Sequence, residues 1–260
     1  MATLAGAPTR PAHDIAERRF FFIMALVMAA VIVAGFSLNL AMGRSTFDVP
    51  VIYHVHAGVF FSWVAIYVAQ NGLISANNTA LHRRLGIIAF LWVPLMVVLG
   101  FVIMITSLRR TGGPFFFDQN EFFISNSLQL VLFATLVFSA LRARRYTGWH
   151  RRLMFCAMAI LTGPGIGRIL PLPLLIPNAW RAVIFIPLIF PIIAMMVEKR
   201  RTGSIHRAWY WGVGSVIVVQ IVSDIIAYSA FGVSLTEQVL AGTPGAERPM
   251  EAFLPPGFTM

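Results

Sequence analysis

Three histidines stand directly before basic residues that open apolar runs. They are His82 in His82-Arg83-Arg84-Leu85-Gly86, His150 in Trp149-His150-Arg151-Arg152-Leu153, and His206 before Arg207-Ala208-Trp209. Imidazole ligates metals and haem iron. Three of them at one depth would hold a metal, or one b-type haem, from facing helices. They also read as wet anchors at a membrane boundary. The adjacent arginines disfavour a divalent cation and tolerate a haem propionate or an anionic lipid. His54 and His56 head another apolar run and form a second candidate metal pair. Residues two apart point to different faces of a helix, so at most one of them turns inward.

A second set is polar rather than metal-binding. Arg168 lies 15 residues beyond Leu153 and Asp224 15 residues beyond Trp209, so at ~1.5 Å per residue both stand ~22 Å above the feet of their helices. A lone charge inside a bilayer is costly and intramembrane ions usually pair. The equal heights therefore predict an Arg168–Asp224 ion pair. Gln220, one helical turn before Asp224, together with Asn126 and Gln129, would complete a polar cavity for a small anion or proton. The same pair reads equally well as a structural strut. Gln70 and Asn71 read as amide glue between helices.

The elements that must position these residues are membrane spans. The chain of 260 residues is 58% hydrophobic and only 12% charged, about half the charge of a soluble domain. Its apolar residues fall in seven blocks: Phe20–Leu40, Tyr53–Leu73, Leu85–Ile105, Phe122–Leu141, Leu153–Leu170, Ala179–Val197 and Trp209–Phe231. Each approaches the ~17–25 residues of a transmembrane helix, and helices satisfy their own backbone in lipid. The expected fold is all-α, a polytopic membrane protein of seven helices arranged as hairpins. Residues 1–19 read as a cytoplasmic tail, 20–231 as the transmembrane domain, and 232–260 as an exposed periplasmic tail or flap. Gly163-Pro164-Gly165 in the fifth span, and Pro187 with Pro191 in the sixth, predict broken helices.

Charge sets the orientation. Of 20 basic residues, Arg44, Arg109, Arg110, Arg181 and Arg248 fall on one side and Arg168 within a span; the other fourteen share the side of the N-terminus. The positive-inside rule then puts the N-terminus in the cytoplasm and the C-terminus in the periplasm of a bacterial inner membrane. The net charge of +10 serves topology, not nucleic acid. Cys156 is the single cysteine, which excludes an internal disulfide.

The pattern of His54, Gln70, His82-Arg83-Arg84-Leu85-Gly86, Trp149-His150-Arg151-Arg152-Leu153 and Arg168 resembles a large, poorly characterised group of bacterial seven-helix membrane proteins. More loosely it is similar to the cytochrome b561-like and ferric-reductase-like membrane haem proteins. That second resemblance implies electron transport through haem held by histidine pairs on facing helices. Both outer histidines here lie on one span, so one inner haem is the most the pattern supports. Hydrolase and protease signatures (GxSxG, HExxH, a P-loop) do not occur in the sequence. Three readings follow: a membrane redox protein holding haem or metal through His82, His150 and His206; a carrier or sensor using the Arg168 cavity; and an accessory subunit. Membrane lipids are the expected surroundings, with a membrane-protein partner or a second copy for the third reading.

Overall fold

The computed structural model describes residues 12–258, so most of the predicted N-terminal tail lies outside the described residues. Among the described residues the chain is helical and contains no strand. Ten α-helices follow in order: α1 (Ala12–Ala41), α2 (Val51–Ser75), α3 (Thr79–Gly86), α4 (Ala89–Thr111), α5 (Gln119–Arg142), α6 (Thr147–Ile169), α7 (Ala179–Phe185), α8 (Ile189–Thr202), α9 (Arg207–Ala227) and α10 (Ala230–Leu240). Among the described residues six segments are long and apolar enough to cross a membrane: α1 from Asp14, α2, α4, α5, α7 with α8, and α9. The fifth predicted span, α6, is not among them. His150, Arg151 and Arg152 open it, and Gly163, Gly165 and Gly167 dilute its upper half.

That composition suits its position. α6 packs on α1, α5 and α9, and buries Phe155, Cys156, Ala157, Met158 and Ala159 in the main core. Small residues allow the close approach. A Cβ on Gly35 would fall within 2.1 Å of the Gly165 carbonyl, and one on Gly165 within 2.7 Å of the Ile32 Cα. The α1 and α6 backbones thus touch, the small-residue crossing typical of helices packed in lipid.

Contacts between helix ends define two ends of the bundle. Glu17 meets Arg151 and Arg152 meets Glu198 at what we call the lower end. Arg168 meets Phe36 and Arg181 meets Asp224 at the upper end.

Several details differ from the sequence expectation. The third span divides: Asn78 caps α3, accepting from the Leu81 N–H at 3.1 Å, and a turn at Ile87–Ile88 precedes α4. α6 runs unbroken through Gly163-Pro164-Gly165, because the Gly165 crossing and the surrounding helices hold it. The sixth span is broken as expected, passing through a 3-10 turn at Ile186–Leu188. The segment read as an exposed tail is instead a packed cap. α10 buries Thr236 and Leu240. Arg248 donates to the carbonyls of Gly113, Pro114 and Phe117 at 3.2, 3.0 and 2.7 Å, and Asp118 accepts from the Ala252 N–H at 2.6 Å.

Candidate functional site

The upper half of the bundle encloses a cavity of about 780 Å³, within the ~300–1,000 Å³ range of small-molecule sites. It follows α2 from Tyr53 to Val64 and α5 from Phe122 to Phe133, eleven residue steps along each helix and hence ~16 Å long. α6 supplies Ile160, Leu161, Gly163, Pro164, Gly167 and Arg168. Nine phenylalanines line it, among them Phe36, Phe60, Phe61 and Phe133, so the wall is predominantly apolar. Gly163 and Gly167 bring α6 close to α7, where an added Cβ would come within 3.0 and 3.1 Å of Val183.

Asn39, Arg44, Tyr53 and Ser107 add polar groups at the cavity rim, and the remaining polar side chains stand at different depths. Arg168 and His56 lie towards the upper end, Asn126 is lower, and Gln129 is only four residues above the Phe133 floor. The Arg168 guanidinium stacks 3.8 Å from the Phe36 ring centroid and donates from Nη1 to the Pro164 carbonyl at 2.8 Å. No carboxylate lies within ion-pair distance of it among the described residues. Gln129 is 3% exposed, and neither amide atom has a hydrogen-bond partner; the Nδ1 of His56 is likewise buried and unpartnered. An unmet buried amide costs ~1–3 kcal/mol.

The predicted Arg168–Asp224 pair does not form. Asp224 instead bonds Arg181 at 3.3 Å and accepts from Gln220 Nε2 at 2.7 Å. Gln220 in turn accepts from Ser125 at 2.7 Å, and Ser125 accepts from the Trp180 indole N–H at 2.8 Å. Glu121 stands 3.8 Å from Arg181. Equal height on two rods does not fix facing: Arg168 turns towards α1, whereas Asp224 turns towards α5 and α7. Gln220 therefore belongs to this network, and Asn126 and Gln129 belong to the cavity. Sequence reasoning passed over Arg181, Glu121, Ser125 and Trp180. Arg181 stands two residues inside the sixth span, which is the sequence signal for its role, whereas the orientation count groups it with the outer charges.

At the lower end His82 and His150 meet, with ring centroids 6.2 Å apart and planes at 83°. His150 Nδ1–H donates to the Ala140 carbonyl at 2.8 Å. Burial, then the neighbouring His150, holds His82 below the ordinary imidazole value. His206 does not join them. Its Nδ1 accepts from the Ala208 N–H at 3.1 Å, its ring packs edge-on to Trp149, and burial followed by Arg152 lowers its pKa. Among the described residues no three of His, Cys, Asp and Glu are grouped to hold a metal ion, so the expected three-histidine site is not assembled. Nor is a His54–His56 metal pair. His54 Nε2–H donates to Phe47, while His56 packs on Phe60 in the cavity wall.

Arg151 and Arg152 at the lower end are both ion-paired, although the Arg151 Nε has no hydrogen-bond partner. Arg152, 4% exposed, bonds Glu198 through Nε and Nη2, both at 2.8 Å. Glu198 also accepts from the Trp209 indole at 2.6 Å and the His206 N–H at 2.8 Å. Glu17 reaches Arg151 at 2.6 Å and Arg152 at 3.6 Å. Asn71 bonds Tyr67 of its own helix rather than bridging helices, and the Gln70 Oε1 has no partner. Comparison with protein-family models, with curated proteins and with solved structures returns no match to this chain.

Proposed function

We propose that this chain is a seven-helix protein of a bacterial inner membrane, with a cytoplasmic N-terminus, that binds a small apolar anion in its upper cavity as a carrier or sensor. One observation carries the reading: Arg168, a permanent cation in the wall of a mainly apolar cavity, has no carboxylate partner among the described residues. A cation within a membrane lacking a counter-charge is costly, and a bound anion would supply one. The basic residues gathered at the lower end, Arg18, Arg83, Arg84, Arg151, Arg152 and Lys199, support a cytoplasmic lower end. α6, shielded by its neighbours, is the seventh crossing in this reading. The test is thermal protection of the purified full chain. Dodecanoate raises the wild-type unfolding midpoint more than dodecanol does, and this difference disappears in Arg168→Gln. Equal protection by the two, or a difference that survives the substitution, refutes the reading.

A second reading rests on the His82–His150 contact. Two imidazoles from different helices are a ligand set for one b-type haem, and the Nδ1–H bond to Ala140 would leave His150 Nε2 for the iron. Such a group would supply one-electron transfer at the lower end. A Soret band in the purified protein, lost in both His82→Ala and His150→Ala, supports this reading; a spectrum without the band ends it.

A further inference from the structure

The cavity has a second polar station, and it constrains the ligand beyond its charge. We infer that the ligand is an elongated amphiphile carrying an anion at one end and a neutral hydrogen-bonding group, a hydroxyl or a carbonyl, at the other. The inference rests on the anion reading above and adds to it.

The argument starts from depth. α2 and α5 both enter the cavity from above, at Tyr53 and Phe122, and leave it at Val64 and Phe133. α6 runs the opposite way, from Ile160 to Arg168. Arg168 therefore stands near the upper limit of the cavity. Gln129 is seven residues below Phe122, ~10 Å along the helix. Between the two stations Asn126 is the polar lining residue of α5, and the rest of the wall is chiefly phenylalanine and aliphatic.

The chemistry of the two stations differs. Arg168 has one N–H engaged by its own helix, and its remaining donors match a carboxylate or another oxyanion. Gln129 carries no charge and has both a donor and acceptor atoms, none of them bonded. An ion at that station would bring a second desolvation cost with no counter-charge, whereas a hydroxyl or carbonyl meets the amide without one. A Leu at this position would have avoided the unpaired amide altogether. The two stations would hold one molecule in one orientation, head towards Arg168 and tail group towards Gln129.

The experiment uses the full chain in phosphatidylcholine nanodiscs, with calorimetric titration corrected against empty nanodiscs. The probes are octanoate, 8-hydroxyoctanoate and octanol, chosen because the extended hydroxy acid matches the ~10 Å between the stations. The hydroxy acid binds wild type about tenfold more tightly than octanoate, the increment of one well-placed buried hydrogen bond, and octanol binds more weakly than either acid. Gln129→Leu removes the preference for the hydroxy acid and leaves octanoate binding intact, which also shows that the variant is folded. Arg168→Gln removes the preference of acid over alcohol. Equal wild-type affinity for the two acids, or a hydroxyl preference that survives Gln129→Leu, overturns the two-station ligand while leaving the anion reading standing. Acid binding that ignores Arg168→Gln, or that is absent in wild type, overturns both.

Discussion

α6 carries an arginine near each end, and the two are treated in opposite ways. Arg152, at the lower end, is held by Glu198 and Glu17 and supported by Trp209 and His206. Arg168, at the upper end, meets one carbonyl of its own helix and one phenylalanine face, beside a large cavity. The lower arrangement satisfies its charges and leaves little room; the upper leaves a charge unanswered and space beside it. A buried ion that is fully paired serves the fold. One left unpaired next to a cavity is the feature on which the proposed anion site rests.

The sharpest way to break this contrast is to unpair the lower site. Glu198→Gln removes the main counter-charge of Arg152 and should cost about 3 kcal/mol, in the range for breaking a buried pair. It should lower the thermal unfolding midpoint more than any other change described here. Arg168→Gln loses a cation–π contact and a local hydrogen bond, about 1 kcal/mol, but also removes an uncompensated charge, so its midpoint without ligand should stay close to wild type. A larger destabilisation by Arg168→Gln than by Glu198→Gln would invert the comparison.

Two smaller effects sharpen it. In double-mutant cycles read by unfolding free energy, Asp224→Asn and Arg168→Gln should be additive within ~0.5 kcal/mol. Asp224→Asn with Arg181→Gln should couple by up to about 1 kcal/mol, as expected for a partly exposed pair. Strong coupling of Arg168 to Asp224 would restore the pairing that equal heights suggested.

The weakest effect concerns pH. His82 and His206 have folded pKa values below the ordinary 6.5. Below 6.5 the unfolded chain therefore takes up protons that the folded chain refuses. Stability is complete above that value and is lost as pH falls towards the folded values. The unfolding midpoint should drop between pH 7 and pH 5, and drop less in His82→Gln. A midpoint that rises on acidification would contradict the burial of these rings.

Much of the architecture was legible in the chain. Block lengths marked the rods, and Pro187 marked the interrupted sixth span. Facing was not legible, because rotation about a helix axis depends on neighbours the sequence does not name. Hence Asp224 was matched to Arg168 by height, whereas Arg181 lay closer in space. The same ambiguity grouped His206 with His82 and His150, although Trp149 and Glu198 hold it elsewhere. The cavity left only indirect traces: glycines on α6, an arginine within a span, and amides on α5. Its existence depends on what the surrounding phenylalanines fail to fill, which no single residue reports.

The backbone contact of α1 with α6 has a consequence for how the protein is made. α6 has charged residues at its start, and glycines where lipid would favour leucine, so it is poorly suited to partition into a bilayer by itself. Its natural surroundings are α1, α5 and α9, and of these α1 is synthesised long before it. In the proposed topology α1 must therefore linger beside the insertion machinery until α6 emerges, its Gly35 surface kept open for Gly165. A bulky residue at Gly35 would leave α1 a good membrane helix and still strand α6, a defect of assembly in which the altered helix itself inserts normally.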